Sequence, residues 1–313
     1  MSLSKPPHYT VITGGVGGAK LVDGLYRLLP KNSLTAIVNT GDDFNHLGLA
    51  ISPDIDTLLY TLSGKANQQL GWGREGESWN FMATLRSLGG PDWFNLGDGD
   101  LALHIMRSSL LAQGKSLSEV TQYFTNQWGL SLRILPMSDD KVATWIDTPE
   151  GALSFQSYFV ERQCRPVAQS IRFEGSKSAK PAKGALEAIM ESEAIFIAPS
   201  NPYLSVDPLL AIPEIKAALI NTQAPIVAIS PIVDGKAVKG PTAKLMGELD
   251  IPVSNDSIAR HYGAFLNGLV IHQGDVPPNR NLLVSATDTM MHDAQDRQRV
   301  ARCALDMTAS LLK

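Results

Sequence analysis

The sequence predicts an α/β protein: a doubly wound, Rossmann-like sheet of mostly parallel strands, carrying a helical insertion and a small β-hairpin region. Three observations lead there. A short β-branched run ends in a glycine turn that opens an amphipathic helix. A second buried strand follows at once, closing a βαβ unit, and later apolar runs of strand length alternate with helical segments. The 313 residues are read as one α/β domain over 9–313, with the helical insertion at 64–130.

The elements follow in chain order. Tyr9, Thr10, Val11, Ile12 and Thr13 read as a strand, and Leu21, Leu25, Leu28 and Leu29 place an apolar stripe on the helix after the glycine turn. Residues 34–38 form the second strand. Residues 79–88, 101–111 and 120–128 have helical periodicity, and Ser116 with Glu119 makes a capping box for the last of these. Residues 132–135, 142–146 and 152–159 read as strands, the last two joined across a hairpin turn at 148–151. Residues 172–184, rich in Ser, Lys, Gly and Ala, are the most loop-like stretch. Strands are expected again at 194–198, 226–229 and 269–271, and a final helix at 293–312 is expected on the sheet edge.

Composition narrows the function. With 44% apolar and 19% charged residues the chain is a folding one rather than a disordered one. A formal charge of −4 supplies no basic field for nucleic acid or an anionic membrane, so any nucleotide must be held locally. No apolar run approaches the roughly 20 residues of a membrane span. Cys164 and Cys303 lack metal-type spacing, residues 1–8 lack an apolar leader, and a reducing cytoplasm is the expected location. The 26 glycines and 19 prolines do not form a low-complexity linker; many sit at strand ends.

The strand ends also hold the residues with chemistry. Gly14, Gly15, Gly17 and Gly18, followed by Ala19 and Lys20, match neither G-x-G-x-x-G nor the P-loop pattern, but four glycines in five residues at a helix start suit a phosphate. Asp42 and Asp43 follow the second strand, and Asp54 and Asp56 follow soon after. Asp54 also reads as a simple complement to a helix dipole, after a Ser52 cap and Pro53. Four such carboxylates would repel one another unless a cation or hydroxyl donor lay between them, and Mg²⁺ suits them. Asp98 and Asp100 are either N-caps or site residues; His104 reads as a packed histidine, and Arg107 as a possible phosphate partner. Residues 137–140 form another acidic turn. Ser200 and Asn201, bracketed by Pro199 and Pro202, form a fixed polar loop suited to a base or phosphate, and Lys244 is either a phosphate partner or a solvated lysine. No Ser-His-Asp, Cys-His, H-E-x-x-H or C-x-x-C pattern is present, so metal-assisted transfer of a phosphate-bearing group is favoured over covalent or zinc chemistry.

Taken in order, the glycine run 14–20, residues 39–43, 52–57, 96–100, 135–140, 199–202, 230–233 and 244–246 resemble the 2-phospho-L-lactate transferase (CofD-like) family of coenzyme F-420 biosynthesis, with similarity from about Val11 to Leu312. The resemblance implies Mg²⁺-dependent transfer from a guanosine diphospho-acid donor to the ribityl hydroxyl of a deazaflavin acceptor, 7,8-didemethyl-8-hydroxy-5-deazariboflavin, with release of GMP. It implies that the glycine turn with Lys20, Ser200, Asn201 and Lys244 holds the donor. Asp42, Asp54, Asp56, Asp98 and Asp100 would meet substrate, Asp42, Asp43 and Asp56 would hold the metal, and Asp56 and Asp43 would act in catalysis, Asp56 as a possible base. Trp72, Trp79, Trp93 and Phe94 would line the acceptor pocket, with core packing as the alternative, and a homodimer is expected. The family carries Arg where this chain has Gly99, and Asp207 stands where relatives commonly have Gly. The glycine run and the segment Gly71-Trp72-Gly73 look closer to the branch that uses phosphoenolpyruvate-derived donors, while 2-phospholactate and 3-phosphoglycerate types stay open. A non-catalytic nucleotide-sugar-binding protein of the gluconeogenesis-factor type is the competing reading, and an NAD-dependent dehydrogenase a weaker third.

Overall fold

A computed structural model describes residues 7–67, 72–237 and 240–313. The chain opens with β1 (Tyr9–Thr13), α1 (Gly15–Leu28) and β2 (Leu34–Val38). An excursion follows: a hairpin of β3 (Phe44–His46) and β4 (Leu49–Ile51), then α2 (Pro53–Leu62), α3 (Asn80–Ser87), α4 (Asp98–Ala112) and α5 (Leu117–Gln127). The chain returns as β5 (Arg133–Pro136) and leaves again for a small sheet of β6 (Ala143–Thr148), β7 (Gly151–Ser154) and β8 (Ser170–Glu174). The second half comprises α6 (Ala185–Met190), β9 (Ala194–Ile197), α7 (Asp207–Leu210), α8 (Pro213–Asn221) and β10 (Ile226–Ile229). After a short ribbon of β11 (Ile232–Val233) and β12 (Lys236–Ala237) come α9 (Thr242–Glu248), α10 (Asn255–Tyr262), β13 (Gly268–His272), β14 (Leu283–Thr287) and α11 (Ala294–Leu311).

Seven strands form one parallel sheet in the order β14-β13-β10-β9-β1-β2-β5. Chain order reverses beside β1: β2 and β5 extend to one side, and β9, β10, β13 and β14 to the other. Such a switch point opens a crevice beyond the carboxyl ends of the strands, between the loops after β1 and β9. Both faces are covered, so the central strands are buried along nearly their whole length instead of alternating between core and solvent. Val11, Ala36, Phe196, Val227 and Val270 pack with α1, α2, α5 and α11. Their neighbours Ile12, Ile37, Ile195, Ala228 and Leu269 pack with α6, α8 and α10 on the other side. Among the described residues no helix is long and apolar enough to cross a membrane.

The α/β reading holds, and so does the capping box: Ser116 Oγ accepts from the Glu119 amide, and Glu119 accepts from the Ser116 amide. Three local expectations are corrected. The strand expected at 152–159 stops at Ser154, and the chain turns into a π-helical turn, Ser157–Glu161, that buries Tyr158 under the small sheet. The loop expected at 172–184 begins inside β8, which pairs antiparallel with β6 and lays Arg172 over the Trp145 ring. The final helix does not sit on the sheet edge, which β14 occupies; α11 packs along α1 and over the sheet.

That last contact depends on Gly24. A Cβ there would fall 2.2 Å from the Arg297 carbonyl oxygen, so α1 and α11 approach only because the side chain is missing. Alanine raises helix propensity by about 1 kcal/mol in an open helix. Here Gly24→Ala is expected to destabilise the protein by about 1–3 kcal/mol through overpacking. Urea denaturation measures it, and a more stable variant would show that the two helices can separate without cost.

Candidate active site

The site gathers at the switch point. After β1 the backbone is extended at Gly14, and α1 starts at Gly15 with φ of 65°. Gly15 is required by that positive φ, and the other three glycines of the run each have a packing reason. A Cβ on Gly14 would lie 2.7 Å from an Asp54 carboxylate oxygen, one on Gly17 2.7 Å from the Pro199 carbonyl oxygen, and one on Gly18 2.2 Å from Thr13 Oγ1 and 2.7 Å from Ser200 Oγ. The run is therefore the place where the loops after β2 and β9 close onto β1. Ser200 Oγ donates to the Gly14 carbonyl at 2.6 Å and locks this junction. Asn201 uses Oδ1 to cap the π-helical turn Pro202–Val206, while its Nδ2 is buried without a partner. The Gly15 amide donates to Asp54, so a protein carboxylate already sits at the amino end of α1.

Asp42, Asp54 and Asp56 are all buried, and Asp43 is buried at its Oδ1. Burial disfavours the ionised form of each, and mutual repulsion adds to it. The Asp42 carboxyl is pushed well above the carboxylate range by burial and then by Asp54. Asp43 is pushed well up by burial, although the Ser52 hydroxyl, which donates to it at 2.7 Å, pulls it back. Ser52 thus spends its hydroxyl on Asp43 instead of capping α2. Asp54 rises to about 6 through burial, opposed by hydrogen bonds from Asn39 and Gly15. Asp54 is therefore not a solvated complement to the α2 dipole.

Asp56 is different because it has a counterion. Arg107, fully buried on α4, donates from Nη1 and Nη2 to the two Asp56 oxygens and from Nη1 also to the Ala50 carbonyl. Burial still raises the Asp56 carboxyl, with Arg107 the chief opposing influence. Arg107 Nη1 lies 3.1 Å from His104 Nδ1. A guanidinium has no acceptor, so an imidazole nitrogen facing it is the acceptor of any hydrogen bond between them, and Nη1 shares its two hydrogens among Asp56, Ala50 and His104. Nε2 lies 3.2 Å from Asp100 Oδ2, off the line of a well-formed hydrogen bond, and Tyr60 donates its hydroxyl to the other Asp100 oxygen. A buried chain, Asp56–Arg107–His104–Asp100–Tyr60, thus runs from the acidic cluster to the wall of a cavity of about 200 Å³.

The other candidate residues separate clearly. Asp98 caps α3, accepting from Ser78, Asn80 and Phe81. Lys244 is not directed at the glycine turn; it pairs with Glu248 and donates to Tyr158 and the Pro166 carbonyl. Lys20 donates to the Met291 carbonyl. Arg107 is spent on Asp56 and is not a surface phosphate partner. The 137–140 turn is structural, with Asp139 accepting from Ser118 and Asp140 from the Lys180 amide. Trp93 and Phe94 pack with Phe44 and His46, whereas Trp72 and Trp79 stand half exposed on the cavity with Arg74, Glu77 and Asp100. Gly71 lies outside the described residues. Asp207 pairs with His261 at 2.7 Å. Sequence reasoning missed Asn39, Tyr60 and the unpartnered hydroxyls of Thr13, Thr40 and Thr144.

The atoms left without partners say what the site accepts. Asp42 Oδ1 and Asp43 Oδ1 are buried and unpaired, which suits a hard cation. Among the described residues no three His, Cys, Asp or Glu side chains converge as a cation cage. Mg²⁺ here would take one or two carboxylates and complete its shell with phosphate and water, its usual habit beside nucleotides.

The raised carboxyls carry a sign. Asp54 has a folded value of about 6 against an ordinary 3.8, so the folded protein binds more protons than the unfolded chain in between. Its contribution therefore weakens as pH rises through that window. Exposed carboxyls held low, such as Asp98, act oppositely only near and below their ordinary value of 3.8, and His46, held below 6.5 by burial, opposes within the window as one group against the three raised carboxyls of Asp42, Asp43 and Asp54. Ligand-free protein is expected to melt at a higher temperature at pH 5.5 than at pH 7.5, and Asp54→Asn to reduce the difference, with Asp42 and Asp43 carrying the rest. A melting temperature that rises with pH over this interval, measured calorimetrically, would contradict it.

Comparison with known proteins bears on this geometry. The model of the family described as 2-phospho-L-lactate transferase CofD matches residues 9–309. A phosphoenolpyruvate transferase of Kitasatospora aureofaciens is 37% identical, with 94% of this chain and 95% of that protein covered. One from Streptomyces griseus subsp. griseus is 38% identical, with 95% and 97% covered. Among solved structures, a UPF0052-family protein from Bacillus halodurans superposes with a TM-score of 0.64 at 18% identity, covering 96% of this chain and 99% of its own, a likeness of fold. A family match over nearly the whole chain, and relatives of this identity over similar lengths, establish that the chain belongs to the CofD family of phospho-acid transferases of coenzyme F-420 biosynthesis.

Proposed function

We propose that the protein transfers a phosphoenolpyruvyl group from a guanosine diphospho-acid to the ribityl hydroxyl of 7,8-didemethyl-8-hydroxy-5-deazariboflavin, releasing GMP. The names of the relatives favour phosphoenolpyruvate over 2-phospholactate or 3-phosphoglycerate as the acid. The observation that carries the reading is the pair of buried, unpaired oxygens on Asp42 and Asp43 at the sheet's switch point. A diphosphate brought there alone would be repelled by the carboxylates. With Mg²⁺ held at Asp42 Oδ1, the cation would neutralise the diphosphate and the departing GMP oxygen.

The chain's own residues then have separate tasks. The acceptor hydroxyl oxygen bonds to the phosphorus that carries the acid, and the bond from that phosphorus to GMP breaks. Asp43 Oδ1 takes the hydroxyl proton: it has no partner, and burial raises its affinity for one. Asp56 is less suited to that task, since both of its oxygens accept from Arg107. It anchors the end of α2 to α4 and so fixes the space in which Asp43 works. Ser200 holds the glycine turn, and the Asn201 amide donor is left for the donor nucleotide. Trp72 and Trp79 offer ring faces for the acceptor.

Incubation of purified protein with Mg²⁺, the deazaflavin and each guanosine diphospho-acid, followed by mass, is the test. A phosphoester product with GMP is expected from the phosphoenolpyruvyl donor, and Asp43→Asn is expected to lower kcat by roughly 10²–10⁴-fold with the fold intact. Nucleotide binding without turnover of any donor would instead support a non-catalytic binding protein. Asp56→Ala strands a buried guanidinium and is expected to cost about 3–5 kcal/mol of stability in denaturant titration. A stable Asp56→Ala protein would show that the pair is not structural.

A further inference from the structure

Gly99 is the second residue of α4, and its φ lies outside the left-handed region, so its backbone makes no demand for glycine. Most residues would favour the helix more. The space around it supplies the reason. A Cβ on Gly99 would fall 2.3 Å from Arg74 Nη1, 2.8 Å from Arg74 Cζ and 3.0 Å from Glu77 Oε1. The Arg74 guanidinium lies across the bare α-carbon. Glu77 fixes this arrangement from behind: Oε2 accepts from the Gly99 amide at 2.6 Å, and Oε1 accepts from Arg74 Nη1 at 3.3 Å. Gly97 makes room for Glu77 in turn, since a Cβ there would meet Glu77 Cδ at 2.3 Å. Two glycines and a buried glutamate thus seat one arginine in the wall of the cavity.

The rest of that wall defines what the arginine meets. Trp72 and Trp79 are 53% and 43% exposed, and Asn67, Asn95 and Asp100 complete the lining. Asp100 is already engaged by Tyr60 and His104. Among the described residues Glu77 is the one side-chain partner of the Arg74 guanidinium, through one long bond, so its other N–H groups are left without a side-chain partner in a wall that also carries Trp72 and Trp79. A planar cation with free donors in the same cavity as two exposed indoles selects a flat ring that carries negative charge at its edge.

We propose that Arg74 is a specificity-determining residue of this cavity, contacting the anionic edge of a planar heteroaromatic acceptor, and that residue 99 is glycine so that Arg74 can reach it. The inference rests on the reading of the cavity as the acceptor's seat. In the proposed acceptor the ring hydroxyl is conjugated with the pyrimidine carbonyls, so it ionises to a delocalised anion. Riboflavin keeps the ribityl chain and lacks that hydroxyl.

Equilibrium binding of the 8-hydroxy-5-deazariboflavin and of riboflavin, followed by ligand fluorescence, tests this, with GDP binding as a separate readout of an intact fold. Wild-type protein is expected to prefer the hydroxylated ring by about tenfold or more, the worth of one charge-assisted hydrogen bond. Arg74→Ala removes the preference. Gly99→Ala, which favours the helix but expels the guanidinium, is expected to do the same, and the double variant to add nothing further. GDP binding stays unchanged in all three. A preference untouched by Arg74→Ala, or a Gly99→Ala protein that discriminates like wild type, overturns the inference alone. Wild-type protein that binds GDP but neither flavin overturns the acceptor reading and this inference with it.

Discussion

The ion pair between Asp56 and Arg107 is the contact on which the site depends. Four carboxylates, Asp42 and Asp43 in the loop after β2 and Asp54 and Asp56 in the first turn of α2, are crowded together, and burial disfavours the ionised form of each. One of the four has a counterion on both oxygens, a guanidinium from a helix more than fifty residues further along the chain. That pair ties the insertion to the sheet. It also sets the guanidinium, a donor with no acceptor, against His104 Nδ1. Through His104 and Tyr60 the arrangement reaches Asp100 at the cavity wall.

The remaining three carboxylates are held less completely, and this difference gives the site its function. Asp54 is occupied by Asn39 and the amino end of α1, Asp43 by Ser52 on one oxygen only, and Asp42 keeps Oδ1 unpaired. A protein that buries such groups gives up stability at neutral pH unless a ligand supplies the missing charge. The glycine run belongs to the same construction. It lets the loops after β1, β2 and β9 converge without side chains between them.

Much of this architecture could be read from the sequence because it is local. The strand, glycine turn and helix of residues 9–28, the capping box at Ser116 and the apolar strands of the second half announce themselves through period and turn chemistry. β8 was hidden by composition, although Ile171 and Phe173 alternate with polar neighbours in the manner of a half-buried strand. The acidic residues were found, since they cluster in two short loops. Their division of labour was not, because it is set by partners on other elements: Arg107 on α4 for Asp56, and Asn39 at the end of β2 for Asp54. The excess of glycine pointed to the right place for an incomplete reason, because close approach of Asp54, Pro199 and Ser200 explains it without a ligand. Gly99 looked like a lost side chain, and only the position of Arg74 shows what fills its space.

A crystal structure with GDP and Mn²⁺, read by anomalous scattering, tests the division among the carboxylates directly. The metal peak is expected within bonding distance of Asp42 Oδ1, in contact with the nucleotide's phosphate oxygens, with Asp56 still on Arg107. A peak bound by Asp56, with Arg107 displaced from it, would contradict the view that this ion pair is the fixed frame of the site.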